Sequence, residues 1–315
     1  MKDVEGKVAF ITAGASGIGW GAARAFMNAG MKVVVGDILQ EHIDECRAQY
    51  PGKNDLHFIK LDVANRKQME DAAKQVEEIY GRLDVLFNNA GVAARAEIDQ
   101  ASYADWDYVM DVCVGGTING IINFLPLIEK HGEGGHIVST SSMAGMIPVP
   151  FNGIYGTAKF AVRAMMDNLR LRLGPKKIGV SVLCPGFVAT RAVTAGDKYR
   201  KAQEEQVIIT EKRDPIKGGQ DPLKVGERVL KAIKNNELYI FPHGEFKEEV
   251  RAYFQRMLDA FPDFADADEI RMGMERSRMT RTEEARRVAD AIDGKRETGP
   301  TVEQTVNAWM AGRQP

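Results

Sequence analysis

Cysteine is scarce in this chain of 315 residues: Cys46, Cys113 and Cys184 are odd in number, widely spaced and form no Cys-x-x-Cys pair. That excludes a disulfide framework or a thiolate zinc site, leaves no metal expected, and fits a reducing compartment, so a cytoplasmic location is the expectation. Surplus charge is lacking too. The 42 basic and 44 acidic side chains give a formal net charge of -2, which supplies no general attraction to nucleic acid or to an anionic membrane. Long hydrophobic runs are also missing. The longest apolar stretch, 118–128, is broken by Asn119 and Asn123 and falls short of the roughly 20 residues a bilayer span needs. Residues 1–15 hold only a short apolar run before turning glycine-rich, unlike a signal peptide. The expected partner is a small molecule, with no nucleic acid and no membrane.

What is present is a rhythm. Short runs rich in Val, Ile, Leu and Phe recur at 8–12, 32–36, 57–61, 85–88, 136–139, 180–184 and 238–241, separated by longer amphipathic stretches. Strands alternating with helices read as βαβ units. Right-handed crossovers then wind seven strands into an α/β, doubly wound parallel sheet, with ligands beyond the carboxyl ends of the strands. Two regions break the rhythm. The stretch 187–222 is long, charged and marked by Gly196, Pro215, Gly218 and Gly219, as a functional flap would be. After residue 245 a helix is expected over 246–260, then a charged segment, 266–296, in which arginines interleave with glutamates. It fits a solvated or subunit-facing helix. The chain thus divides into 1–245, binding and catalytic with its flap, and a helical C-terminal extension, 246–315.

The first strand runs into Ala13-Gly14-Ala15-Ser16-Gly17-Ile18-Gly19 and then a helix-compatible stretch. Glycines at such a turn let a diphosphate approach backbone N–H groups and the positive end of the helix, so this is a dinucleotide site. Asp37 follows the second strand, eighteen residues after Gly19, where an acid takes the adenosine ribose hydroxyls. It would repel a 2′-phosphate and so favour NAD, although a helix N-cap role is open to it as well. Downstream, Tyr155 and Lys159 stand four residues apart, with Ser142 thirteen residues before Tyr155. On a helix that spacing sets phenol and ammonium on one face. A cation beside a phenol favours the phenolate and makes it a proton-exchanging group for an alcohol or ketone.

Taken together, the glycine turn, Asn88-Asn89-Ala90-Gly91, the Ser142, Tyr155 and Lys159 spacing, and Pro185-Gly186 with Thr190 resemble the short-chain dehydrogenase/reductase family over about residues 5–245. The resemblance implies that Tyr155 is the acid/base, that Lys159 assists it and holds the nicotinamide ribose, and that Ser142, rather than its neighbour Ser141, bonds the reacting oxygen. It further implies that Asp62 and Val63 contact adenine. Asn89, Ala90 and Gly91, with Pro185 and Gly186, would line the cofactor cleft, and Val188 and Thr190 would hold the carboxamide. The implied activity is NAD-dependent interconversion of a secondary alcohol and a ketone by a homodimer or homotetramer.

Two departures stand out. The family begins its turn Thr-Gly, whereas Thr12 is followed here by Ala13, with Gly14 as a compensating candidate. The family also has an asparagine in the helix after the fourth strand, feeding a water chain to the lysine. Cys113 occupies that place, and Asn119 and Asn123 lie on other faces of the helix, so a proton relay would run through backbone or water. The extension is more loosely similar to family members that oxidise benzylic alcohols of lignin-derived aryl ethers. That implies a bulky apolar or aromatic substrate, with Met143, Met146, Phe151 and Val193 as wall candidates. Alternatives are a ketoreductase on a sterol-like or acyl substrate, or a silent dinucleotide-sensing scaffold.

Overall fold

Strand β1, Val8–Thr12, is buried at all five positions, as an apolar run without alternation demands of a strand covered on both faces. In the computed structural model, which describes residues 1–93, 97–150, 152–190, 218–261 and 269–291, it lies third in a seven-stranded, wholly parallel sheet of order β3-β2-β1-β4-β5-β6-β7. The other strands are β2 (Lys32–Asp37), β3 (Leu56–Lys60), β4 (Val85–Asn88), β5 (Gly135–Thr140), β6 (Ile178–Leu183) and β7 (Tyr239–Ile240). All seven expected runs form strands, with ends displaced by one or two residues. The last keeps only two residues, at a sheet edge paired with β6 alone.

Side chains alternate across the sheet and sort into two cores. Ala9, Ile11, Val33, Val35 and Phe87 face helices α1 (Gly17–Asn28) and α7 (Pro222–Asn235). Val8, Phe10, Val34, Leu86 and Val182 face α3 (Arg66–Tyr80), α5 (Gly116–Lys130) and α6 (Gly153–Leu173). Phe10 stacks on Phe124 at 4.2 Å between ring centroids. Each such buried side chain contributes roughly 1.5–3 kcal/mol, so the sheet is a rigid platform. Helices α2 (Gln40–Gln49) and α4 (Tyr103–Met110) complete the layers.

Helices α4 and α5 are joined through a π-helical turn, Asp111–Gly115, making one helix over Tyr103–Lys130 that is long and apolar enough to cross a membrane by length and composition. The expectation from 118–128 alone was too short because the helix continues through the turn. Its apolar residues serve the sheet: Phe124, Leu127 and Ile128 are core. The strand order reverses between β1 and β4, and that is where an open α/β sheet forms its binding crevice. Helices α1 and α7 approach closely there, since a Cβ on Gly21 would lie 2.1 Å from the Pro222 carbonyl oxygen.

Beyond β7 the chain forms α8 (Lys247–Leu258), whose Phe254 packs under Arg163 of α6, and α9 (Glu269–Ala291). The interleaved charges of α9 face solvent over most of its length, and Ala289 is buried at its end. The body of the 187–222 flap, with Gly196 and Pro215, the wall candidates Phe151 and Val193, and residues 292–315 lie outside the described residues.

Candidate active site

The Tyr155 and Lys159 spacing falls in the first two turns of α6, as the helical reading required. Lys159 is only 2 % exposed, and a lysine so deeply buried needs a partner. Its ammonium donates to the Thr140 carbonyl at 2.9 Å and lies 5.4 Å from the centre of the Tyr155 ring. Ser142 sits at the start of a short 3₁₀ turn, Met143–Gly145, where its hydroxyl accepts the Ala144 N–H at 3.1 Å and approaches the Pro185 carbonyl at 3.5 Å. Ser141 is used differently. Fully buried, it donates to the Lys159 backbone carbonyl at 2.7 Å and so anchors the helix. Ser142 is the partly exposed member of the pair.

Thr140 ties this trio to the glycine turn. Its hydroxyl donates to Asn89 Oδ1 at 3.1 Å, and Asn89 Nδ2 donates to the carbonyls of Thr12 and Ala13 at 3.2 and 3.3 Å. Thr12 Oγ1 in turn accepts the N–H groups of Asn89 and Ala90 at 2.9 and 3.0 Å. Sequence reasoning singled out Asn89 and Ala90 and placed Thr12 at the start of the turn, but the bonding of Thr12 to the 89–90 segment and the part of Thr140, a strand-end hydroxyl, have no motif to announce them. Gly91 leaves room for the ammonium, since a Cβ there would lie 2.8 Å from Lys159 Nζ and push it aside.

The turn resolves the missing glycine. Ala13 itself takes the left-handed conformation, φ 46°, at a cost of roughly 1–2 kcal/mol for a residue with a Cβ. Gly14 does not relieve it: its smallness serves packing, since a Cβ there would meet the Ile11 carbonyl at 2.9 Å and Val35 at 3.0 Å. Ser16 precedes α1 without a side-chain capping bond. The first-turn N–H groups of Gly17, Ile18 and Gly19 are therefore uncapped by it, as an anion-binding helix end requires. Gly17 abuts Thr190, whose Cγ2 a Cβ would meet at 2.9 Å. The turn, Asn89, Lys159 and the 185–190 segment thus converge at the carboxyl ends of the strands.

Asp37 ends β2 and is 5 % exposed. Its Oδ2 accepts the Ala15 N–H at 3.1 Å and its Oδ1 the Leu39 N–H at 3.0 Å. The cap alternative does not hold, since the N-cap of α2 is Leu39; the carboxylate braces the glycine turn instead. Burial raises its proton affinity above that of an ordinary aspartate, opposed by the N–H bonds from Leu39 and Ala15 and by the charge of His42. His42, buried beside it, has no sequence signal. Asp62 accepts the Ala64 N–H at 2.9 Å, and the Val63 carbonyl accepts from Asn119 Nδ2 at 2.8 Å. Asn119 therefore positions Val63, and Asn123 donates back to Asn119.

Cys113 lies in the π turn with its thiol against Val92, accepting the N–H at 3.4 Å and donating to the carbonyl at 3.3 Å. Met143 and Met146 are packed in the core, 5 % and 6 % exposed. Among the described residues a cluster of Asp84, His131 and Glu133 has ligand-like atoms within 4.8 Å of one another. It sits at the opposite end of the sheet, with its carboxylates already paired to Arg82 and Lys7.

Residues 7–200 match the family description "short chain dehydrogenase". The chain is 35 % identical over 269 residues to a C alpha-dehydrogenase of Sphingobium sp. strain SYK-6, covering 82 % of this chain and 88 % of that protein. A short-chain dehydrogenase structure from Novosphingobium aromaticivorans superposes with a TM-score of 0.78 at 36 % identity, over 90 % of this chain and 99 % of that one. One from Burkholderia phymatum in complex with NAD gives 0.74 at 28 % identity, over 85 % and 100 %.

Proposed function

Since the chain belongs to the short-chain dehydrogenase family of oxidoreductases, we propose that it interconverts a secondary alcohol and a ketone with NAD as cofactor. The reading is carried by one observation: a buried Lys159 ammonium held against the Tyr155 ring, with Ser142 on the adjoining turn. The uncapped start of α1 would hold the diphosphate, Asp37 the adenosine ribose, and Lys159 the nicotinamide ribose. When bound, the nicotinamide supplies hydride chemistry.

The chain's own residues handle the proton. Ser142 hydrogen-bonds the reacting oxygen, and Tyr155 takes the hydroxyl proton during oxidation and returns it during reduction. Lys159 keeps positive charge beside the phenol while a backbone carbonyl, Thr140, fixes its position. A bulky aromatic or apolar alcohol is the proposed substrate class, supported by the similarity to the C alpha-dehydrogenase. The proposed assembly is a homodimer or homotetramer, in the cytoplasm.

A panel of aryl secondary alcohols with NAD or NADP tests this. NADH should form with at least one bulky aryl alcohol, and Tyr155→Phe should lower kcat by roughly 100- to 10,000-fold with NAD affinity little changed. Binding of NAD without any turnover across alcohols and ketones would instead favour a silent dinucleotide sensor.

A further inference from the structure

The segment that follows the catalytic strands is held from a distance. Gly186 donates its N–H to His243 Nδ1 at 3.0 Å, and His243 Nε2 lies 3.0 Å from the Phe187 carbonyl. The first bond requires an unprotonated Nδ1, and the second then requires the hydrogen on Nε2, so the two contacts fix one neutral tautomer. The two rings also crowd the Gly186 backbone. A Cβ on Gly186 would meet Phe246 at 2.7 Å and His243 at 3.3 Å, and the two rings stand edge to face at 71°.

The same few residues join the two ends of the 187–222 stretch. The Phe187 carbonyl accepts the Gln220 N–H at 3.0 Å, Ala189 N–H donates to the Gln220 carbonyl at 2.9 Å, and Gln220 Nε2 reaches the Pro242 carbonyl at 3.4 Å. A bridge pairs Val188 with Gln220. The described residues at the two ends of the 187–222 stretch are therefore fastened to each other and to the segment between β7 and α8. Gly186 to Thr190 is the stretch that abuts Gly17 of the glycine turn.

We propose that His243 is a positioning residue: its neutral imidazole clamps Gly186 and Phe187 so that Val188 and Thr190 are presented to the nicotinamide. The inference rests on the functional reading above and adds a residue outside every motif that supports it. A side chain fifty-seven residues away from Gly186 in sequence thereby sets the geometry of the cofactor cleft, through backbone groups alone.

Two measurements separate the clamp from its consequence. Hydrogen exchange on the cofactor-free protein reads the Gly186 amide directly: His243→Ala should lose protection at 186–190, and His243→Asn, whose amide oxygen can take the Nδ1 position, should keep it. Titration with NAD and steady-state kinetics read the cleft. The Ala variant should weaken NAD binding about tenfold, the scale of one or two lost hydrogen bonds, with KM for NAD rising more than kcat falls, and the Asn variant should recover most of it. Lost exchange protection with unchanged NAD affinity overturns the proposal, as do equal losses in Ala and Asn, which would mark simple packing. A wild-type protein that binds no NAD overturns the proposed NAD dependence instead, and the positioning role with it.

Discussion

On the proposed reading, Asp37 concentrates cofactor choice in a single charge. At about 4 Å from a 2′-phosphate it contributes a repulsion of roughly 1 kcal/mol in water and about 4 kcal/mol at a near-surface dielectric, enough to favour NAD by tenfold or more. The carboxylate is braced by the Ala15 and Leu39 N–H groups, so it cannot swing away to accommodate the phosphate. Only the ionised form repels. Burial raises the pH at which the proton returns, against the pull of those two N–H bonds and of His42, so discrimination is complete above that raised value and fades as pH falls through it. The ratio of kcat/KM for NAD over NADP should therefore decline toward mildly acid pH, earlier than an exposed aspartate would dictate. Asp37→Asn should lower the ratio tenfold or more and make it flat with pH. For stability the sign is opposite to that of a paired carboxylate: a raised folded value means the contribution is present below the unfolded pKa and lost as pH rises through the folded one.

At the scale of elements, the π turn Asp111–Gly115 decides what Cys113 can do. A π turn widens a helix locally and is common at functional sites; here the Cys113 carbonyl accepts the Thr117 hydroxyl at 2.8 Å and its thiol reaches both backbone groups of Val92. The thiol ties the 89–92 loop to the helix, weakly, as sulfur does. Lys159 meanwhile bonds a backbone carbonyl, in keeping with a relay that does not need an asparagine. Cys113→Asn should then change kcat by less than about twofold, while Cys113→Ala, which frees two polar groups of Val92, should cost about 1–3 kcal/mol of stability in thermal melts. A strong rise in kcat for the Asn variant would show that a relay is missing. Strands and catalytic helix were legible because burial on both faces writes apolar runs and a helix face writes a spacing of four. The rest was not legible for an equally physical reason: Thr12, Thr140, Asn119 and His243 act through partners 19 to 78 positions distant, and no local pattern announces such a contact.

For the whole molecule the question is what the extension does, and its attachment points answer in part. Arg170, 5 % exposed, pairs with Asp290 of α9 and also donates to the Val180 carbonyl and to the side-chain and backbone oxygens of Asn236, while Asn236 Nδ2 donates to the Ala289 carbonyl at 3.0 Å. Gly174 makes room for Ala289, since a Cβ would lie 2.7 Å from its Cα. These contacts sit at the far end of α6. Fifteen helical residues separate Arg170 from Tyr155, about 22 Å at 1.5 Å per residue, so the end of α9 is pinned to the amino-terminal side of the sheet while chemistry occurs at the other. A cavity of about 540 Å³ opens there, walled partly by Val288 and Ala291. Removing residues 266–315 would strip the carboxylate from a buried guanidinium, and breaking a buried pair costs roughly 3 kcal/mol or more. The truncated protein should therefore melt at a markedly lower temperature while its KM for the alcohol stays within about twofold, because the described contacts of α9 lie at the end of α6 away from Tyr155. Arg170→Met combined with the truncation should restore part of the lost stability, since it removes the unpaired charge. A truncation that left stability unchanged and raised KM would make the extension a lid over substrate, and one that halved the oligomer at unchanged melting temperature would make it a subunit clamp.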